Sequence, residues 1–220
     1  FQLKRRMAKR VTFQTSYSLS WANSWGGRPT SSYGGTGQAI TPEFQFRPNE
    51  FGATTPDERH RWVFSGVFEL PGGFQVSPII QASSARPLAS AASVAGGLLA
   101  GTDIDGDGRR NIDRVCVGST RESPIVTAGC EQVEVNSFRG DPYFQIDLRT
   151  AKAFKFSETA ALRLYWEFYN LTNRDNFCNN FINTAGRSDF LQPNGYCGGQ
   201  GFGPAFSGPL RSQFGFRFEF

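Results

Sequence analysis

The last thirteen residues of the chain, 208–220, alternate between apolar and polar side chains. The apolar positions are Leu210, Phe214, Phe216, Phe218 and Phe220, and the positions between them include Arg211, Gln213, Gly215, Arg217 and Glu219. A period of two predicts a β-strand with one apolar face and one polar face. In a soluble protein such a strand would be an aggregation hazard, whereas in a membrane barrel its apolar face contacts lipid.

The same alternation predicts six further strands, so that seven strands are expected in all. They cover residues 1–6, 11–21, 57–70, 74–82, 144–156 and 162–169. Short turns at 7–9, 71–73 and 157–159 alternate with long loops at 26–57, 87–141 and 173–207. Strict alternation of short and long connections is typical of outer-membrane barrels, with turns in the periplasm and loops outside. The predicted fold class is therefore all-β, an antiparallel transmembrane β-barrel.

The second predicted strand indicates what each face contacts. Its polar face carries only hydroxyl and amide side chains, namely Thr12, Gln14, Ser16, Ser18 and Ser20. Such a face is too polar for a packed core and is typical of a wetted barrel lumen. Trp21 and Trp25, near the far end of this strand, are predicted to lie in an aromatic girdle at the membrane surface.

Two details of pairing follow from residue chemistry. Pro78 lacks the N–H that a strand paired on both sides needs, so we expect a local bulge there. If Phe156 pairs with Ala160 across the third short turn, Arg149 lies opposite Glu167 on the polar face. Cross-strand pairs of opposite charge contribute roughly 0.2–1 kcal/mol to stability.

The final strand also carries a short terminal pattern. It consists of a polar residue, a glycine two positions later, and aromatic residues at the third-last and last positions: Gln213, Gly215, Phe218 and Phe220. This pattern resembles the C-terminal insertion signal of bacterial outer-membrane β-barrel proteins. The resemblance implies that the barrel-assembly machinery recognises this strand. The alternative is an amphipathic terminal strand of a soluble β-sandwich.

Four stretches of the chain, within 57–73, 105–114, 147–154 and 167–177, resemble the barrel of TonB-dependent outer-membrane receptors of the Oar-like type. The most specific is the run Glu-Phe-Tyr-Asn-Leu-Thr-Asn-Arg-Asp-Asn-Phe at 167–177. The resemblance implies a barrel of roughly 22 strands around an N-terminal plug. It makes residues 1–220 the C-terminal, seven-strand portion of that barrel, so that the plug and the segment that contacts TonB are expected outside this sequence. Because the family's ligand site is shared by plug and loops, no ligand-binding residue can be assigned from the resemblance.

An acidic run in the second long loop matches the first half of an oxygen-rich calcium loop. The candidate ligands are Asp103, Asp105, Asp107, Asn111 and Asp113. Arg114 stands where such a loop carries its bidentate glutamate. The sequence leaves open a structural calcium ion and a solvated acidic loop; no other cofactor is expected.

Four cysteines lie in the predicted external loops, two in each of two loops. The cell surface permits disulfides, and the local pairings are Cys116 with Cys130 and Cys178 with Cys197. Four cysteines allow three connectivities, so spacing alone does not decide between them. A zinc site is disfavoured because no C-x-x-C spacing and no nearby histidine accompanies them.

Charge and histidine content argue against two other classes of protein. The net charge is +4, and the single basic cluster, Lys4 to Arg10, lies at a predicted turn, which is typical of a solvated turn near lipid headgroups rather than of nucleic-acid binding. His60 is the only histidine, and no serine or cysteine constellation accompanies it. We therefore expect neither an enzyme, with no catalytic residues, nor a nucleic-acid partner.

The strand pattern predicts a bacterial outer-membrane protein. The family resemblance implies an uptake receptor energised by TonB for a scarce ligand such as a siderophore, a glycan or a peptide. Its expected partners are membrane lipid, the barrel-assembly machinery, the TonB complex acting through the plug, and the small ligand. One alternative is a secreted, calcium-binding, disulfide-bonded β-sandwich. Another is a passive porin or an outer-membrane enzyme.

Overall fold

The computed structural model describes residues 1–8, 10–25, 47–88, 104, 113–197 and 208–220. Its strands are β1 (Gln2–Ala8), β2 (Val11–Leu19), β3 (Asn23–Trp25), β4 (Phe51–Ala53), β5 (His60–Leu70), β6 (Phe74–Ser83), β7 (Pro87–Leu88), β8 (Phe138–Arg139), β9 (Tyr143–Lys155), β10 (Ala161–Tyr169) and β11 (Arg211–Glu219). Two 3₁₀ turns, Pro48–Glu50 and Pro71–Gly73, complete the regular elements of these residues. No helix in this part of the chain is long and apolar enough to cross a membrane.

The seven long strands form one antiparallel sheet in the order β1-β2-β5-β6-β9-β10-β11. Each strand therefore pairs with the long strand next to it in the sequence, and the seven predicted strands are confirmed. Several boundaries differ from the prediction. Strand β2 ends at Leu19 rather than Trp21, β5 begins at His60 rather than Asp57, and β11 begins at Arg211 rather than Gly208. Strand β1 continues to Ala8, into the turn predicted at 7–9, and the remaining limits shift by at most one residue. The described strands form an open sheet with β1 and β11 at its edges, so a barrel of 22 strands stays a prediction.

The register places the apolar side chains of neighbouring strands side by side on one face. Phe64 lies opposite Ile80, Leu164 opposite Phe216, and Trp166 opposite Phe214. Phe214 is 66% exposed and Phe216 is 69% exposed, so no layer of the described residues covers this face. A β-sandwich would bury such a face against a second sheet. The sandwich alternative is therefore inconsistent with the structure.

The expectation of a bulge at Pro78 is wrong. Strand β6 keeps one register with β9 throughout, with Pro78 opposite Leu148. Its register with β5 is also the same on either side of Pro78, but Ser77 and Pro78 have no paired residue on that strand. The sheet thus accommodates the missing N–H by omitting a short stretch of pairing, with no inserted residue. The irregularity of register lies instead between Arg5 and Ala8, beside the first short turn.

Most of the buried apolar residues of the described chain lie in the long connections, whereas the seven-stranded sheet contributes Tyr143 and Ala151. We call the described residues of these connections the loop cap: 20–25, 47–59, 84–88, 104, 113–142, 170–197 and 208–210. The center of its core is formed by Val115, Ala185 and Phe190, and Val126, Val133, Phe138 and Leu191 pack around it. Because these residues come from two different connections, the second and third long loops fold as one unit.

Candidate functional site

Polar side chains from six neighbouring strands line one cleft of about 520 Å³ on the polar face of the sheet. The lining includes Lys4, Thr12, Gln14, Ser65, Ser77, Asp147, Arg149, Glu167 and Tyr169. Residues of β1 and β10 share this cleft although four strands separate them in the sheet. The sheet therefore curls with its polar face inside, as the wall of a barrel does.

A charged group at the center of this cleft is held by cross-strand contacts. Arg149 Nε lies 3.5 Å from Glu167 Oε1, and the guanidinium lies 4.5 Å from the ring centroid of Tyr165. Glu167 Oε2 accepts hydrogen bonds from the side-chain amide of Gln213 and from the hydroxyl of Tyr169 (3.4 Å). The pairing of Arg149 with Glu167 confirms the predicted register, and the Phe156 N–H donates to the Ala160 carbonyl at 2.9 Å.

A second polar row runs along β9 toward the loop cap. Tyr143 donates its hydroxyl hydrogen to Gln145 Oε1, and Gln145 Nε2 donates to Asp147 Oδ1, both at 2.7 Å. Asp147 Oδ1 also accepts the backbone N–H of Asn170 at 2.9 Å. Tyr143 and Gln145 are buried. This row connects the cleft with the cap through side chains whose polar groups bond to one another.

The most buried ion pair of the described residues lies in the cap, between Glu50 and Arg114. Arg114 Nη2 lies 2.5 Å from Glu50 Oε1, and each side chain is less than one-tenth exposed. Arg114 Nε also donates to the Val133 carbonyl at 2.8 Å, and Nη2 donates to the Asn49 carbonyl at 3.3 Å. The pair therefore fastens the first long loop to the second.

Asp57 connects separate segments of the cap next to the outer end of β5, which begins at His60. Its side chain is buried, its Oδ1 accepts the N–H of Ala22 at 3.0 Å, and Arg139 lies 3.3 Å from Oδ2. Arg59 is 3.9 Å from the same oxygen and lies over the ring of Trp21, 5.1 Å from its centroid. One carboxylate thus holds groups from three separate segments.

Glu58 forms a neighbouring cluster with Arg86 (2.7 Å) and Arg61 (3.4 Å). Burial by itself would raise the pKa of Glu58, but hydrogen bonds from Ser83 and Arg86 and the charges of both arginines outweigh it. The net result is a pKa below the usual glutamate range. Glu58 is therefore a paired carboxylate that stabilises the outer ends of β5 and β6.

Two glycines mark the points where the long loops cross. A Cβ on Gly52 would overlap the carbonyl of Val135, and a Cβ on Gly140 would overlap the carbonyl of Cys178. In both places backbone approaches backbone, so neither neighbour could rotate away. The first loop therefore crosses the second, and the second crosses the third, at sites that accept only glycine without a shift of the backbone.

The segment 170–176 forms a compact turn at the outer end of β10. Asn170 is fully buried with φ +53°, and its amide donates at 2.8 Å to the carbonyls of Arg174 and Gly208. Asn176 is also buried, and it donates to the Phe144 carbonyl and accepts the Phe144 N–H. The two asparagines thereby join the outer ends of β9, β10 and β11.

The structure pairs the four cysteines as Cys116 with Cys130 and Cys178 with Cys197, which are the local pairings. Their Cα atoms are 5.8 Å and 5.5 Å apart, within the usual range for a disulfide. Each bridge closes a part of one long loop, so the covalent links stiffen the cap loop by loop.

Four of the five candidate calcium ligands, Asp103, Asp105, Asp107 and Asn111, lie outside the described residues. The fifth, Asp113, is buried, and its Oδ2 accepts the N–H of Ile104 at 2.7 Å. Within the described part of the chain no cluster of three metal-ligating side chains occurs. Calcium binding at 103–113 therefore stays a prediction.

The residues of the predicted insertion signal all lie on or next to β11. Phe218 points from the apolar face and is 52% exposed, and Phe220 is almost fully exposed. Gly215 lies opposite Tyr165, whose ring occupies the space that a Cβ would need. The glycine therefore has a role in the wall itself, whereas recognition by the assembly machinery stays a prediction.

Sequence reasoning missed the polar residues that build the cap, Glu50, Arg114, Asn170 and Asn176. It also missed the role of Gln145 of β9, which connects the cleft with the cap. Asn170 and Asn176 lie in the run that carries the family resemblance, which was a signal of their importance. Glu50 and Arg114 are 64 residues apart, and no local pattern connects them. Of the contacts predicted from the sequence, the structure brings together Arg149 with Glu167 and the two cysteine pairs.

A curled antiparallel sheet with an uncovered apolar face, a polar cleft inside and all described long connections at one end defines the wall of a transmembrane β-barrel. Residues 1–196 match the family model described as an outer membrane beta barrel domain. The chain belongs to that family and is a protein of the bacterial outer membrane. No curated protein and no solved structure matches the chain. The polar face is accordingly the lumen face, the apolar face contacts lipid, and the loop cap is external.

Proposed function

We propose that this protein is a TonB-dependent receptor for the uptake of a scarce ligand across the outer membrane. The observation that carries the proposal is the loop cap, which has its own apolar core, a buried ion pair and two disulfides. A binding surface that is ordered before the ligand arrives loses less entropy on binding. A cap of this kind is what a receptor needs for a ligand present at low concentration.

The turn at 170–176 is the second support. It lies within the stretch that most resembles the TonB-dependent receptors, and its two buried asparagines hold three strand ends beneath the cap. The resemblance thus coincides with a set of contacts that positions the external loops. The resemblance supplies the proposed partners: a plug in the lumen, and the TonB complex that pulls on it. The proposal assigns no catalytic step and no cofactor to the chain.

The lumen face fits a polar passage. The cleft is lined by hydroxyl, amide and paired charged groups, which can exchange hydrogen bonds with a moving polar solute or with a plug. Arg149 is about half exposed there, while Glu167 is mostly covered. A passive porin would use the same kind of lining, so the lumen face does not separate the two functions.

The experiment that separates them uses the complete protein, reconstituted in planar lipid bilayers and, in parallel, in detergent. We expect no steady ion conductance in the bilayer, because a plug would close the lumen. We also expect saturable binding of the purified periplasmic domain of TonB in detergent, with an unrelated periplasmic protein of similar charge as the control.

A stable open-channel conductance together with no binding of the TonB domain would overturn the proposal and favour a porin. An open channel that still binds the TonB domain would show that no plug closes the lumen. That result would reject uptake driven by TonB. Binding of the TonB domain with a closed channel supports the receptor.

A further inference from the structure

We propose that Phe177 and Tyr196 form a carbohydrate-binding platform on the external surface of the loop cap, which takes a neutral β-linked hexopyranose unit. This inference rests on the proposed function, because it names the ligand class of that receptor. The two rings are stacked, with centroids 5.7 Å apart and planes at 16°. Tyr196 is 37% exposed.

The disulfide between Cys178 and Cys197 holds this pair in place. Each cysteine directly follows one of the two rings in the sequence, so the bridge ties the two backbones together beside the stack. The N–H of Cys197 donates to the Asn176 carbonyl at 2.8 Å, and the Asn180 side chain donates to the Tyr196 carbonyl at 3.3 Å. The platform is therefore rigid before any ligand binds.

Polar groups border the exposed ring. Asp175 is exposed, and its Oδ1 accepts a hydrogen bond from the Tyr196 hydroxyl at 3.4 Å. Asn194 is exposed two residues before Tyr196, and its N–H donates to the Asn180 carbonyl at 2.8 Å. An aromatic face bordered by a carboxylate and an amide offers stacking and hydrogen-bond partners at once, as sites for small polar ligands do.

An aromatic face bordered by a carboxylate and an amide favours a neutral sugar as the ligand. A β-linked glucopyranose presents an unbroken face of C–H groups, which the electron-rich face of an aromatic ring attracts. Its equatorial hydroxyls lie at the ring edge, where Asp175 and Asn194 can accept and donate hydrogen bonds. The Asp175 carboxylate disfavours an anionic ligand, and the neighbouring Arg174 is engaged with the Pro142 carbonyl at 3.2 Å. A neutral glycan meets these conditions better than an anionic siderophore.

The platform lies directly above the lumen row. Cys178 and Cys197 pack with Tyr143 in one buried cluster, and Tyr143 begins the hydrogen-bonded row that leads to Asp147. A sugar bound at Tyr196 would therefore sit at the external end of a line of polar groups that enters the cleft. This position is the one expected for a first subsite of an uptake path.

The test is isothermal titration of the complete, detergent-solubilised protein with cellohexaose and, separately, with the hexamer of β-1,4-linked N-acetylglucosamine. We expect at least one of the two to bind. Tyr196→Ala should weaken that binding about tenfold or more, as the loss of an aromatic stack implies. Tyr196→Phe keeps the ring and should weaken it by less than about threefold. Trp25→Ala removes an exposed aromatic of the first loop and is the matched control, with unchanged binding expected.

Heat-modifiable mobility and disulfide mapping on each preparation show whether the variants are folded. Failure of both glycans to bind at millimolar concentration would overturn the platform, and so would equal losses in folded Tyr196→Ala and Trp25→Ala proteins. Binding of the TonB domain, measured on the same preparations, does not depend on Tyr196. If neither glycan binds but the TonB domain does, the platform is rejected and the proposed receptor function is not. If glycan binding depends on Tyr196 but the TonB domain does not bind, the receptor function is rejected and the platform is not.

Discussion

Arg149 of β9 lies directly opposite Glu167 of β10, with 3.5 Å between Arg149 Nε and Glu167 Oε1. The pair is a consequence of the short turn that joins the two strands, in which the Phe156 N–H donates to the Ala160 carbonyl. Once that turn closes, each residue of β10 from Ala161 to Phe168 has a defined partner on β9. The pair therefore reports whether the wall has its native register.

We expect a double-mutant cycle with Arg149→Ala and Glu167→Gln to give a coupling energy of about 0.2–1 kcal/mol. The value should be at the low end because Arg149 is 48% exposed and water screens its charge. The measurement is urea unfolding of the assembled protein in lipid vesicles, and the coupling should fall at high salt. A coupling that does not change with salt would contradict an ionic contact at this position.

The apolar and polar faces of β5 can be tested at adjacent residues. Phe64→Arg places a charge toward lipid and should cost roughly 2–4 kcal/mol of stability, whereas Ser65→Arg on the lumen face should cost far less. Phe64→Ala is the control for the loss of the ring, which stacks on Phe13 with centroids 6.1 Å apart. The difference between Phe64→Arg and Phe64→Ala is then the cost of the charge. Equal losses of folded protein for the two arginine variants, measured by heat-modifiable mobility, would reject the assignment of faces.

The buried pair in the cap should be far more sensitive to substitution. Glu50→Gln leaves the buried guanidinium of Arg114 without its counter-charge, which typically costs about 3–5 kcal/mol. We expect faster cleavage of the cap by an added protease while the strands remain protected. Asp189→Asn removes one partner of an exposed pair and is the control, for which we expect no measurable change. A cap equally resistant in both variants would show that the Glu50 pair is not needed.

The lowered pKa of Glu58 predicts a loss of stability in acid. Because the folded pKa lies below the unfolded value near 4.5, the contribution of Glu58 is fully present above pH 4.5 and is lost as the pH falls through the folded pKa. Glu58→Gln lacks this contribution at every pH. The difference in melting temperature between the parent and this variant should therefore be constant from pH 7 to 5 and shrink below about pH 4. A difference in melting temperature that grows as the pH falls would contradict a lowered pKa of Glu58.

Phe220 provides a test of the terminal signal. Phe220→Ser should lower the amount of assembled protein in the outer membrane, because the terminal aromatic is predicted to be read during assembly. Phe220 is 97% exposed, so its loss removes little packing from the wall. Phe216→Ser, on the same strand but outside the four positions of the terminal pattern, is a control with an exposed ring (69%). Normal assembly of the Phe220→Ser protein would defeat the interpretation of residues 213–220 as an insertion signal.

The sequence alone was enough to predict the seven strands, their order, their two faces and the partner of Arg149. These features are local, because side chains alternate with a period of two and a short turn sets the register of a hairpin. Pro78 marks the limit of this reasoning. Its missing N–H was evident, but whether the sheet would bulge or omit a stretch of pairing was decided by the pairing of β6 with both neighbouring strands.

The loop cap was decided only by the tertiary structure. Glu50 meets Arg114, Asp57 meets Arg139, and Gly140 meets Cys178 across separations that no periodic pattern spans. Such contacts form only when the strands have already brought the loop ends together, since the cost of closing a long loop must be offset by burial elsewhere. The stacking of Phe177 on Tyr196 is also a tertiary feature, because an aperiodic loop segment and one disulfide bring the two rings into contact.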